Sequence, residues 1–145
     1  MKILIGLLLI FTLLSCKKQP DNILTTKDWV LESATVNPAM TIGNKTSTDY
    51  KNLLGPGSCL SSNYTLKFNT NGTFSGHSNG ALCDLFVPSE PNKWSREGNM
   101  IRLSGSSFNE VATLADQSLT YTSVSTVDMV IYTTVYIFRS TSPLK

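Results

Sequence analysis

The sequence predicts an all-β domain: an eight-stranded antiparallel up-and-down β-barrel with a short helix in its first long loop. Three observations lead there. Charged residues make up 15% of the chain, below the ~25% usual for soluble domains, and the sequence is rich in Thr, Ser, Val and Tyr, which fit pleated strands. Apolar residues then alternate with polar ones in short runs set off by Gly, Asn and Asp turns. Finally, the runs are consecutive, closely spaced and even in number, so the sheet can close on itself and leave no edge.

The elements follow in chain order. Asp28 to Val36 is the first strand, with Trp29 and Leu31 on its inner face. Pro38 to Leu54 is a long connection, in which Thr48 to Leu54 forms one or two helical turns that stop at Gly55-Pro56-Gly57, because glycine and proline end helices. A hairpin over Asn63 to Cys83 supplies two strands. Asn92 to Ser95 around Trp94, Met100 to Ser104, Phe108 to Leu114, Leu119 to Val124 and Met129 to Arg139 supply five more. The last run is apolar on both faces. Its periodicity leaves open whether Ile131, Val135 and Ile137 or Tyr132, Tyr136 and Phe138 point inward.

The hairpin sets its own register. Tyr64, Leu66 and Phe68 alternate with Thr65, Lys67 and Asn69 ahead of Asn71-Gly72. A two-residue loop there would put Phe68 and Phe74 on opposite faces. A three-residue loop, Thr70-Asn71-Gly72, with Gly72 left-handed, puts both rings inside. The same register carried outward sets Cys59 opposite Cys83. Two cysteines left in an exported domain form a disulfide in an oxidising compartment. Closing that loop of about 25 residues would contribute roughly 3.5 kcal/mol on the chain-entropy model. The competing metal set of Cys59, His77, Cys83 and Asp84 lacks the short paired spacing of structural zinc motifs, so no metal is expected. His77 falls on the outer face opposite Thr65.

Export follows from the first residues. Lys2 precedes a run of aliphatic residues, Ile3 to Leu14, too short to span a bilayer and ordered like a secretory signal. Leu13-Leu14-Ser15-Cys16 resembles the lipobox of bacterial lipoproteins. That resemblance implies cleavage after Ser15 and two or three acyl chains on Cys16, enough for stable anchoring where one chain is marginal. It also implies a bacterial cell envelope, and Lys17 after the cysteine favours the outer membrane. Residues 1–15 are thus the leader, 16–24 the lipidated cysteine and a polar tether, and 25–145 the barrel domain.

Several pieces together resemble the small lipocalin-like lipoproteins of Gram-negative bacteria. They are Asp28-Trp29-Val30-Leu31, then Cys59, then Tyr64-x-Leu66-x-Phe68-x-x-Asn71-Gly72-Thr73-Phe74, then Cys83, and then Trp94 ahead of Gly98-Asn99-x-Ile101-x-Leu103. The Gly-x-Trp of true lipocalins is absent, since Lys27 precedes Asp28-Trp29. The resemblance implies a barrel whose interior can hold one small apolar ligand.

The first functional expectation is therefore a non-enzymatic binding module for a small hydrophobic or amphipathic molecule. Its candidate liners are Trp29, Leu31, Tyr64, Leu66, Phe68, Phe74, Trp94, Ile101, Leu103, Leu119 and Tyr121. The same residues can equally fill a small barrel with a packed core. In that case the protein would bind an envelope protein or glycan through the loops Asn37 to Ser58 and Asn79 to Pro91, the latter carrying Leu85, Phe86 and Val87. Twelve basic against ten acidic side chains, without runs, leave no electrostatic footprint for nucleic acid. No nucleophile elbow or metalloprotease motif is present, and Asp84, Glu90 and Glu97 are spaced like ordinary loop acids. No catalytic residue and no cofactor is expected.

Overall fold

A computed structural model describes residues 22–80, 90–106 and 108–142. The expected leader, Cys16, and the segment holding Cys83 to Val87 lie outside the described residues. A helical turn, α1 (Asn22–Thr25), leads into β1 (Asp28–Ile42), β2 (Lys45–Asp49) and a second turn, α2 (Tyr50–Leu53). Seven strands follow: β3 (Thr65–Phe68), β4 (Thr73–His77), β5 (Asn92–Glu97), β6 (Met100–Ser104), β7 (Asn109–Ala115), β8 (Ser118–Val127) and β9 (Val130–Thr141). Antiparallel pairing runs from β1 to β3 and onward in chain order to β9, which pairs back to β1. Eight strands thus close a barrel.

A ninth strand, β2, lies in the expected long connection. Here β1 continues through Pro38 to Ile42, turns at Gly43-Asn44 and returns as β2, with Ile42 opposite Lys45. Proline within an apolar run argues against a strand because it donates no ladder bond. Pro38 escapes that penalty by position. It lies one residue beyond the last β1–β9 pair, Asn37 with Thr133, and inside the irregular stretch of the β1–β2 ladder between Thr35 and Met40. The overlooked signal was Gly43-Asn44. Gly43 has φ of 62°, the left-handed first position of a two-residue hairpin turn.

The helix in this connection is shorter than the sequence suggests, beginning only at Tyr50. Asp49 caps it, accepting from the Asn52 amide at 3.3 Å and the Asn52 side chain at 2.8 Å. The β3–β4 hairpin has the predicted register: Phe68 opposes Phe74, Leu66 opposes Gly76 and Thr65 opposes His77. Gly72 is left-handed, with φ of 81°, and Asn71 Oδ1 accepts from the Thr73 amide at 3.1 Å. The phenyl rings of Phe68 and Phe74 stack at 5.6 Å.

The β1–β9 seam closes the barrel, from Asp28 opposite Thr141 to Asn37 opposite Thr133, with a register shift between Leu31 and Ser33. This bulge at Glu32 changes which residues face inward. The buried positions of β1 are Trp29, Leu31, Ala34 and Val36, whereas strict alternation would have put Ser33 and Thr35 inside. The carbonyls at the bulge do not go unpaired: Lys51 Nζ donates to Leu31 O at 2.8 Å and to Glu32 O at 3.0 Å. Outside, Glu32 accepts from Arg139 Nε at 2.8 Å.

The inward face of β9 is Thr134, Tyr136 and Phe138, with Ile131 exposed outward. Phe138 decides it, seated opposite both Leu31 and Leu119. The chain enters the barrel against its buried core. Leu24 of α1 is fully buried there and accepts a hydrogen bond from Trp29 Nε1 at 3.2 Å. Ile101, Leu114, Leu119 and Phe138 join it. Lys67, Arg102 and Arg139 are exposed on the outer wall, which therefore faces water along β3, β6 and β9.

Truncating Phe138 to alanine should destabilise the fold by about 3–5 kcal/mol in urea denaturation, the range for a large ring removed from a packed core. Ile131→Ser, on the outward face of the same strand, should change stability by less than ~0.5 kcal/mol. Similar losses for the two would refute the assigned face.

Candidate functional site

The end of the barrel opposite the chain's entry is hollow. A cavity of about 240 Å³ opens there. Leu66 of β3, Phe74 of β4, Leu103 of β6 and Phe108, just before β7, form its apolar walls. Tyr64, Tyr121 and Tyr136 contribute rings and hydroxyls, and Glu110 and Ser123 are polar positions of the lining. Its volume falls below the ~300–1,000 Å³ typical of drug-sized ligand sites. It suits a small molecule or one segment of a larger one.

Two glycines seat two of the rings. A Cβ on Gly76 would come within 2.6 Å of the Tyr64 hydroxyl and 3.0 Å of its ring, so the ring crosses the bare backbone of β4. A Cβ on Gly105 would meet the Phe108 ring at 2.6 Å and Asn92 Oδ1 at 2.5 Å. Side chains at either position would displace the aromatics. Tyr121 and Tyr136 stack at 4.7 Å with 18° between their planes, and Tyr121 also stacks on Phe138 at 6.0 Å. Phe138 thereby links the packed end to the cavity. Tyr50 of α2 meets Tyr136 edge-on at 6.5 Å.

These phenols hold their protons. Burial raises the pKa of Tyr64. Burial also raises that of Tyr121 strongly, helped by the fields of Tyr136, Tyr64 and Glu110. Tyr136 is pushed up to about 12, first by burial and then by Tyr50, Tyr64 and Glu110, against a hydrogen bond with Thr134 that lowers it. At neutral pH each hydroxyl can therefore donate and accept.

The expected liners divide between the two ends. Tyr64, Leu66, Phe74, Leu103 and Tyr121 line the cavity. Trp29, Leu31, Phe68, Ile101 and Leu119 are buried in the core and do not touch it. Trp94 is half-buried, edge-on to Phe68 at 5.7 Å, with Nε1 donating to Asn69 O at 3.0 Å. Phe108, Glu110, Ser123 and Tyr136 were not anticipated. Glu110 was legible in Glu110-x-Ala112-x-Leu114, whose shared parity puts the carboxylate on the file of the two buried apolar residues. Cys59 is half-buried, and its expected partner Cys83 lies outside the described residues. His77 is exposed on the outer face, opposite Thr65.

The raised phenol pKa values make stability fall in alkali. Above pH ~10 the unfolded chain loses phenolic protons that the native state retains. Stability attributable to these groups is intact below pH 10 and is lost as pH rises through the Tyr136 value of about 12. The melting temperature should therefore drop between pH 9 and 11.5, and the drop should be shallower in Tyr136→Phe. Parallel curves for the two proteins would contradict the buried phenol. No family model, curated protein or solved structure matches the chain.

Proposed function

We propose that this chain is a lipid-anchored binding module of a bacterial cell envelope. On this reading the leader is removed before Cys16, acyl chains on Cys16 hold the protein at a membrane, with the outer membrane favoured by Lys17, and the barrel takes up a small hydrophobic or amphipathic molecule without chemically altering it. The observation that supports it is the one-ended cavity of about 240 Å³, lined by aromatic rings with a few polar groups, the usual composition of a ligand site. A barrel serving only as a spacer needs no such hollow.

A Cys59–Cys83 bridge belongs to the same reading. The hairpin register supports it, because every described β3–β4 pair follows the alignment that sets residue 59 opposite residue 83. A second reading, docking of an envelope protein or glycan, draws on one observation: the β8–β9 tip displays Val124, Val127, Met129, Val130 and Ile131, with Met129 96% exposed.

Native mass spectrometry of the protein extracted mildly from its own envelope tests the main reading. The expected result is a discrete extra mass that leaves on denaturation, and a chain two hydrogens lighter than its fully reduced form. Filling the cavity with Ser123→Trp should abolish the extra mass. A bare chain, with wild-type localisation lost in Met129→Ser instead, would favour docking. The anchor is tested separately: Cys16→Ser should release the protein from sedimented membranes and remove the acyl mass, and retention with unchanged mass would refute it.

A further inference from the structure

The cavity has an asymmetry of charge that its apolar walls conceal. Among the described residues nine line it; of these Glu110 alone is charged, and none is a lysine, arginine or histidine. Glu110 is half-buried, and its carboxylate is in no ion pair among the described residues. The hydroxyls of Tyr64 and Tyr121 belong to the same lining, and among the described residues no buried side-chain nitrogen or oxygen lacks a partner, so the polar groups of this cavity that are not bonded within the protein are open to solvent or to a ligand. A ligand that displaces water from such groups must pair with them itself, or their desolvation counts against its binding.

The surroundings select the sign of that partner. Five aromatic rings, Tyr64, Phe74, Phe108, Tyr121 and Tyr136, surround the space, and an aromatic face carries negative charge that attracts a cation held against it. The phenols, kept neutral by burial, offer acceptor lone pairs beside the carboxylate. An anion entering the same space meets Glu110 with no compensating base in the lining.

We infer that the ligand is a small organic cation, an amine whose ammonium pairs with Glu110 and whose apolar body lies among the tyrosine and phenylalanine rings. This rests on the binding-module reading above and narrows it to one chemical class. Glu110 sets the charge preference, and the rings set the size and flatness of the body. A cavity of about 240 Å³ favours a compact body over a whole lipid acyl chain.

The test uses three probes of one shape: phenethylamine, phenethyl alcohol and 3-phenylpropionate. They are titrated calorimetrically into the full-length protein in lipid nanodiscs, with the heats from empty discs subtracted. The amine should bind at least about ten-fold more tightly than the alcohol, and the propionate most weakly. Glu110→Gln should bring the amine down to the alcohol's affinity and leave the alcohol's own unchanged. If the alcohol or the propionate binds wild type as well as the amine does, the cation preference is overturned while the cavity reading stands. If no probe binds, both fall. The comparison among probes on wild type decides the matter even if Glu110→Gln is unstable.

Discussion

The return of β9 onto β1 is the constraint on which the rest of the molecule depends. The two strands stand near opposite ends of the described chain, and until they pair the sheet has two open edges. The seam also holds the bulge at Glu32, which turns Ala34 and Val36 inward. A one-residue change of parity exchanges the two faces of a strand. Without the bulge, two polar residues would replace two apolar ones in the barrel. Lys51 satisfies the carbonyls at the bulge, and in doing so it ties α2 to the seam. Tyr50, its neighbour in α2, is thereby placed against Tyr136 beside the cavity. A backbone irregularity in the wall thus fixes an aromatic contact at the mouth.

The hollow at one end comes from side-chain size. At the packed end, Leu31, Phe138 and Leu119 meet across neighbouring strands, and Leu24 and Trp29 fill the space beneath. Nearer the mouth the pairs are unequal: Tyr136 faces Ala34, Tyr121 faces Ala112 and Leu66 faces Gly76. A large residue opposite a small one can lay its ring along the wall instead of across the lumen. Tyr121 and Tyr136 do this, stacking on each other at 4.7 Å. Close packing throughout a small barrel is the ordinary outcome. Here the small residues fall where they prevent it.

Local patterns made much of this fold legible. Alternation locates the barrel strands, and the demand that Phe68 and Phe74 share a face is enough to set the hairpin register. What escaped depended on contacts distant in sequence. Pro38 is admissible only because the ladders of two partner strands leave its nitrogen alone, and the choice between Phe138 and Ile137 needs Leu31 and Leu119. The site was half legible for the same reason. Apolar liners declare themselves by period, but which of them stay solvent-accessible depends on Ala34, Ala112 and Gly76 across the barrel. Glu110 shares the parity of Ala112 and Leu114, but its charge points the other way, since a charged residue beside Val111 is ordinarily assigned to the solvent face.

The direction of the cavity bears on where a ligand comes from. The described chain enters at the packed end, where α1 lies against Trp29, and the mouth is at the other end. If Cys16 carries acyl chains, the six residue steps to Asn22 reach at most about 20 Å, so the bilayer lies nearer the packed end than the mouth. A site built to extract a membrane lipid would gain by facing the bilayer. This one faces away and has room for at most a segment of such a chain. Its carboxylate is only half-buried, so water can solvate it while the site is empty, which makes an unpaired charge tolerable there. An ammonium of the proposed kind would displace that water and take its place. A neutral apolar molecule of the same shape would desolvate the carboxylate and offer nothing in return. On the proposed reading, the exposure that lets water reach Glu110 is also what lets a cation reach it.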